Sequence, residues 1–256
     1  MADGMSFDKY IDNPSGGASV VTNRNMYKNM YKSKFNAVLV REQGKIDFEV
    51  FKTKDKNDTY YIYMKIPSEV IPNFYYDVVI KLYTTVNAKK ASSYLRHYAV
   101  GFYSNDPAFV YTFAYSFAKN NLFIDDLEPK MSKKALRDKA KVRNPKNEVW
   151  YVKSLYFAYL AMEKYNLFHR INLDRVAKRY SKRELLSKIT HADKKIQDRI
   201  SEQEKLKKEK KAESRNPEER NVHNATARTK TSNITKTAKT STVSKRSNMT
   251  KTTKKI

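Results

Sequence analysis

Apolar and polar side chains follow three successive patterns along the chain. Between residues 35 and 85 they run in short stretches with strand character: FNAVLV (35 to 40), IDFEVF (46 to 51), TYYIYMKI (59 to 66) and YYDVVIKLYTT (75 to 85). In the second stretch Ile46, Phe48 and Val50 alternate with Asp47 and Glu49, and Gln43-Gly44-Lys45 supplies a turn before it, so the first two stretches read as a half-buried hairpin. The polar KDKND (54 to 58) and the prolines Pro67 and Pro72 separate the rest. Four strands with an apolar face need a covering layer.

From Asp106 the period lengthens. Asp106-Pro107 has the chemistry of a helix start, a capping side chain followed by the residue tolerated at the first helical position. Phe109, Phe113 and Phe117 then recur four apart. A lysine-rich stretch (131 to 147) precedes EVWYVKSLYFAYLAMEKYNLF (148 to 168), apolar almost all round, which predicts a helix buried or packed on both sides. From Leu173 the chain is charged and helix-favouring up to Asn216-Pro217. Leu186, Ile189, Ile196 and Ile200 fall on heptad positions that Asp193 interrupts, so a solvated single helix is expected there, not a coiled coil.

These patterns predict an α+β fold: a small antiparallel sheet covered by apolar helices, then a long charged helix and an extended basic tail. The expected boundaries are an extended N-terminal arm (1–33), a core domain (34–172), a charged helix (173–216) and a Lys/Thr-rich tail (217–256), flexible or ordered on a partner. Within the arm, Met26, Tyr27, Met30 and Tyr31 have the spacing of one edge of a short helix, against the plainer reading of a partly ordered leader.

Charge sharpens the division. The net charge is +25, and residues 221–256 hold nine basic and no acidic side chains. All 12 phenylalanines, Trp150 and every tyrosine but Tyr180 lie in residues 1–172, so the core belongs there. An excess of this sign favours nucleic acid, anionic lipid or acidic protein as partner. With no cysteine, disulfides and thiolate metal sites are excluded, and the four histidines are scattered without ligand spacing. No apolar run reaches the length of a membrane helix, and the start lacks the basic and apolar regions of a signal peptide; the four Asn-X-Thr sequons are therefore read as chance.

Candidate chemistry is sparse. Five glycines give no phosphate-binding loop. Asp47 with Glu49 and Asp125 with Asp126 are the carboxylate pairs, and the first reads as the solvent side of the hairpin. The chain is thus expected not to be an enzyme and to need no cofactor or metal. Tyr60, Tyr61, Tyr63 and Lys65, with Lys81 and Tyr83, have the composition of a base-stacking sheet. They are read first as ordinary strand tyrosines whose hydroxyls reach water at the sheet margin.

The tail repeats TKT at 229, 235 and 250, and SNI at 232 is echoed by SNM at 247. Lys230, Lys236, Lys239, Lys245, Lys251 and Lys254 share one phase of a three-residue period, with Ile234, Val243 and Met249 in another, against chance in a biased composition. Three residues per turn is the polyproline II repeat. With Arg246, these lysines are the candidate contacts to an anionic partner.

The stretches YYIYMKIPSEVIPNFYYDVVIKLYTT (60 to 85), FYSNDPAFVYTFAYSFAKNNLFIDDLEPK (102 to 130) and NEVWYVKSLYFAYLAMEKYNLF (147 to 168) resemble virion structural proteins of tailed bacteriophages, in particular the Tyr-, Asn- and Lys-rich proteins of crAss-like and related phages. The resemblance is one of style and segment order and carries over no functional residue. It implies a multi-copy component of the head or of the head-tail connector (neck), located in the virion and, during assembly, in the host cytoplasm. The implied partners are other virion proteins and copies of itself, with DNA a further partner of the tail, and no membrane or small-molecule substrate. Trp150, Tyr151, Tyr156 and Tyr159 are the candidate protein-interface anchors. The alternative is a nucleic-acid-binding accessory protein using the Tyr/Lys sheet face and the tail. If the 148–168 helix is buried within one chain, self-assembly loses support; an exposed patch there indicates a protein partner.

Overall fold

The computed structural model describes residues 5–12, 21–54, 58–84, 94–141, 143–144 and 146–213. Residues 1–205 form one compact unit; in the second, 206–256, the described residues are a helical stretch up to Glu213.

Four antiparallel strands, β1 (Phe48–Lys52), β2 (Tyr60–Pro67), β3 (Tyr75–Tyr83) and β4 (Ala99–Ser104), are joined by a two-residue β5 (Lys178–Arg179) in the order β4-β3-β2-β1-β5. The fold is α+β, and the sheet is mixed because β5 runs parallel to β1, with Phe51 opposite Lys178. The strand expected at 35–40 is helix instead. α2 (Val21–Arg41) runs straight through it, and β1 pairs with β2. Tyr27, Tyr31, Phe35 and Val38–Leu39 carry one helical stripe across the whole span, with no glycine or proline to break it. Phe35 and Val38 are buried, whereas Val40, which a strand would place on the same face as Val38, is 82% exposed. The expected turn is where α2 stops. Gln43 and Gly44 take positive φ (52° and 78°), and their amides donate to the Val40 and Leu39 carbonyls, a Schellman closure.

The extended N-terminal arm is also corrected. Besides α2, residues 7–12 form a helix, α1 (Phe7–Asp12), whose Phe7, Tyr10 and Ile11 are one face at i, i+3, i+4 and are buried. Phe7 and Tyr10 pack on Phe102 of β4 with ring centroids 5.5 and 4.5 Å apart. The Tyr151 hydroxyl donates to the Ile11 carbonyl at 2.7 Å. Three apolar side chains in so short a stretch are too few to signal a helix from the sequence alone.

Asp106 caps as expected, its Oδ1 accepting the Ala108 amide at 3.0 Å. A π-helical turn (Phe109–Phe113) follows, then α3 (Ala114–Lys119), a 3-10 segment (Asp125–Lys130) and α4 (Lys133–Arg137). α5 (Lys153–Lys164) is the apolar helix, and Ser154 to Met162 are all buried. One side packs on β2, β3 and β4, with Ser104 and Ser154 hydroxyls 3.1 Å apart. The other carries α2, through Phe35 on Phe157 and Tyr31 on Tyr156 at centroid distances of 5.4 and 5.8 Å. Burial of each Leu, Phe or Met there contributes about 1.5–3 kcal/mol.

The single charged helix expected over 173–216 is divided into α6 (Arg170–Val176), β5, α7 (Lys182–Lys188) and α8 (Ala192–Glu213). Ser181 and Glu184 have the spacing of a capping box, and the Ser181 hydroxyl accepts the Glu184 amide. Of the apolar residues read as an interrupted heptad, Ile189 and Ile196 are buried, Leu186 is partly buried and Ile200 is 44% exposed; Leu185 and Ala192 join the first two in the core, with the 123–130 segment, over the second face of the sheet. The core therefore extends from Phe7 to Ile196, beyond 34–172 at both ends.

The polar link that fixes this second layer is Asp77, buried on β3. Its Oδ1 accepts the Tyr63 hydroxyl (2.8 Å), and its Oδ2 accepts Asn105 Nδ2 (2.8 Å) and the Thr190 amide (2.9 Å). Asn105 Nδ2 also donates to the Thr190 carbonyl at 3.1 Å. Asp77→Ala removes the acceptor of the Thr190 amide, while Tyr63 keeps the Lys188 carbonyl and Asn105 Nδ2 the Thr190 carbonyl, and is expected to lower unfolding free energy by about 1–3 kcal/mol in urea denaturation, with amide exchange rising first around 188–196. Gly101 on β4 is tightly enclosed: a Cβ there meets Ile124 Cγ1 at 3.1 Å and the Tyr83 hydroxyl at 3.2 Å, so these side chains must shift by a few tenths of an ångström to admit it. Gly101→Ala is expected to cost about 1–3 kcal/mol in the same assay.

Candidate functional site

The strand tyrosines are the first candidates, and the structure turns them inward. Tyr60, Tyr61 and Tyr63 are 0%, 2% and 4% exposed. Tyr60, with Ile62 and Met64, faces the α5 layer, and its hydroxyl donates to Asp174 Oδ1 at 2.7 Å beside Lys52. Tyr61 and Tyr63 face the C-terminal helices. The Tyr61 ring stacks on Tyr180, with centroids 4.3 Å and planes 12° apart, and Lys81 sits 4.9 Å from its centroid. The partner that a base would supply is thus already given by Tyr180. Lys65 is exposed, and Tyr83 and Lys81 are part-buried, Lys81 bonded to Asp126 at 3.3 Å. The sheet does not present the stacking surface that the composition allowed.

The candidate interface anchors are likewise internal. Tyr151, Tyr156 and Tyr159 are at most 6% exposed, and Trp150 is part-buried against Tyr27 and Tyr151. They anchor α1, α2 and the turn at Phe168. The tail residues Lys230, Lys236, Lys239, Lys245, Arg246, Lys251 and Lys254 lie outside the described residues.

The sheet carboxylates are committed to cations. Glu49 pairs with Lys178 (2.7 Å) and Lys188 (2.8 Å), Asp174 with Lys52 (2.9 Å), and Glu69 with Lys34 and Lys153 (both 2.9 Å). Asp126 accepts from Tyr61 and Lys81. Desolvation raises each carboxyl, but these donors outweigh it and hold all four below the ordinary carboxylate range. Among the described residues no cluster of His, Asp and Glu could hold a metal ion.

What the sequence did not signal is a cleft of about 750 Å3 between α2, the loop after β2, the start of the π-turn, residues 150–153 and α8. Its size lies within the range of about 300–1,000 Å3 typical of ligand sites. Tyr27 and Tyr31 from α2 and Trp150 form an aromatic wall, in which Tyr27 meets Trp150 edge-on at 6.3 Å. Tyr76 and Phe113 complete it. Burial, then the nearby Tyr27 and Asp106, push the Tyr31 hydroxyl up to about 12, so it keeps its proton at ordinary pH. Lys34 and Lys153 line the cleft but are held by Glu69. Arg143 and Arg199 line it with no carboxylate partner among the described residues, and Arg199 Nε is buried without a hydrogen-bond partner. The pairing of Tyr27 with Tyr31 was visible as i, i+4 spacing. Their meeting with Arg143, Trp150 and Arg199 depends on tertiary contacts more than a hundred residues apart.

A comparison of the chain with protein-family models, with curated proteins and with solved structures returns no match in any of the three.

The lowered carboxyls set a direction for acid sensitivity. A carboxyl whose pKa is depressed by folding stabilises the native state above its unfolded pKa, and that contribution is lost as pH falls through the folded value. Stability is expected to hold above about pH 5 and to fall below the ordinary carboxyl range near about 4. Urea midpoints at pH 7 and pH 3 should differ less in Asp126→Asn than in the parent chain.

Proposed function

We propose that the chain is a structural and assembly protein of a tailed-phage particle, a multi-copy component of the head or head-tail connector. It is seated through its basic tail on a polyanionic surface, acidic protein or packaged DNA. The observation that carries this reading is the charge balance. Glu49, Asp126 and Asp174 around the sheet are held by lysines of the same chain, while the chain as a whole keeps +25, nine of its cations in the acid-free residues 221–256. Such an excess attracts polyanions over a Debye length and releases counterions on contact.

The burial of α5 changes how such a protein would assemble. That helix offers no surface for self-association, and the large exposed apolar side chains among the described residues (Met26, Val40, Val70, Tyr111, Ile171, Val176, Ile200) are spread over five segments. Copies are then brought together by the surface they share and not by an apolar seam between them. The alternative, a nucleic-acid-binding accessory protein, loses its sheet face and keeps the tail.

Two measurements test the proposal. Mass spectrometry of purified particles should find the chain in multiple copies, and absence from particles overturns the reading. The isolated protein should size as a monomer, and deletion of residues 217–256 should abolish binding to duplex DNA or acidic protein while leaving the thermal transition of the body in place. Binding that is unchanged between 50 and 500 mM salt, on the order of a tenfold range, contradicts the electrostatic account.

A further inference from the structure

The geometry points to the cleft beside Trp150 as a site for one nucleotide unit, a base stacked on the aromatic wall with its phosphate held by arginine. Tyr27, Tyr31 and Trp150 line one side, each part-buried, so ring surface remains open to the cleft. Arg143 and Arg199 lie on the lining without ion-pair partners among the described residues, in a protein whose neighbouring lysines are all paired there. Among the described residues no carboxylate neutralises Arg199, which leaves its guanidinium charge for a ligand anion. Guanidinium matches phosphate oxygens two at a time, which ammonium does not.

The cleft also holds Asp106, nearly buried. Its Oδ1 is taken by the Ala108 amide, and no described residue donates to Oδ2. An acidic peptide would meet this carboxylate as a like charge and would leave the rings unused. A nucleotide meets it with a ring N–H or exocyclic amine and keeps its phosphate for the arginines. Aromatic wall, arginines and acceptor carboxylate thus correspond to the three parts of one ligand class.

A free mononucleotide and a residue of a single strand share this chemistry, and the test separates them. Trp150 is the only tryptophan, so its emission reports the cleft and not the tail. The full chain is titrated with adenosine monophosphate, with a single-stranded ten-mer and with inorganic phosphate. Saturable change in Trp150 emission is expected with the mononucleotide, the ten-mer or both, and not with phosphate at equal concentration. A response to the ten-mer alone identifies a strand as the source. Arg143→Gln with Arg199→Gln should weaken the response by about tenfold or more, the loss expected for charge-assisted bonds to phosphate. Tyr27→Leu, which leaves every charge in place, should weaken it as well, and its unchanged circular dichroism guards against misfolding. DNA binding that leaves Trp150 emission unaltered belongs to the tail and overturns the assignment, as does a response that the double arginine variant retains. Either result leaves the particle reading untouched, because that reading is tested by composition and by removal of residues 217–256.

Discussion

A single buried carboxylate, Asp77, decides how the second side of the sheet is covered. A carboxylate can be taken out of water only if its lone pairs are met, and here the donors come from β2, from the end of β4 and from the link between α7 and α8. Satisfying it therefore fixes the C-terminal helices over Tyr61 and Tyr63. Without that layer the tyrosines would face water, and the sheet would resemble the stacking platform its composition suggests. The same residues give an open binding face or a closed core, depending on whether a segment over a hundred positions away is held in place.

That dependence explains which parts of the structure could be read from the sequence. Local rules worked where a local cause acts alone: the Asp106 cap, the turn at Gln43-Gly44, the strand composition around Tyr60 and Tyr75, and the all-round apolarity of α5, buried between sheet and α2. They failed where the deciding partner is distant. FNAVLV has strand composition, yet its stripe continues that of Tyr27 and Tyr31, and α5 supplies the apolar surface that selects the helix. β4 was missed because AVGFYS carries a glycine at its centre, which Ile124 and Tyr83 require to be small. Of the candidate site, the aromatic half was legible as spacing and the arginine half was not, since Arg143 and Arg199 look like any other cation in so basic a chain.

Charge is organised in two ways. Around the sheet Glu49, Glu69, Asp126 and Asp174 are matched by lysines, and the buried Asp77 by uncharged donors. Cations without a carboxylate partner among the described residues include the two arginines of the cleft, and nine more cations stand in the acid-free residues 221–256. A partner reaching either would be negatively charged, but the cleft selects by shape and ring surface whereas a run of lysines selects by charge density.

Both margins of the sheet are closed by pieces distant from their neighbours in sequence: β1 by Lys178–Arg179, and β4 by a bridge from Ser6 to Ala99 and another from Phe102 to Phe123. Exposed strand edges invite pairing with other chains. During synthesis the β1 edge stays open until residue 179 has left the ribosome, and the second face until Thr190 arrives to meet Asp77. Long-range closure of this kind folds slowly and leaves apolar strands uncovered in the meantime. The nascent chain, more than the finished protein, is where this architecture is vulnerable to aggregation, and a truncation at residue 172 would make that vulnerability permanent.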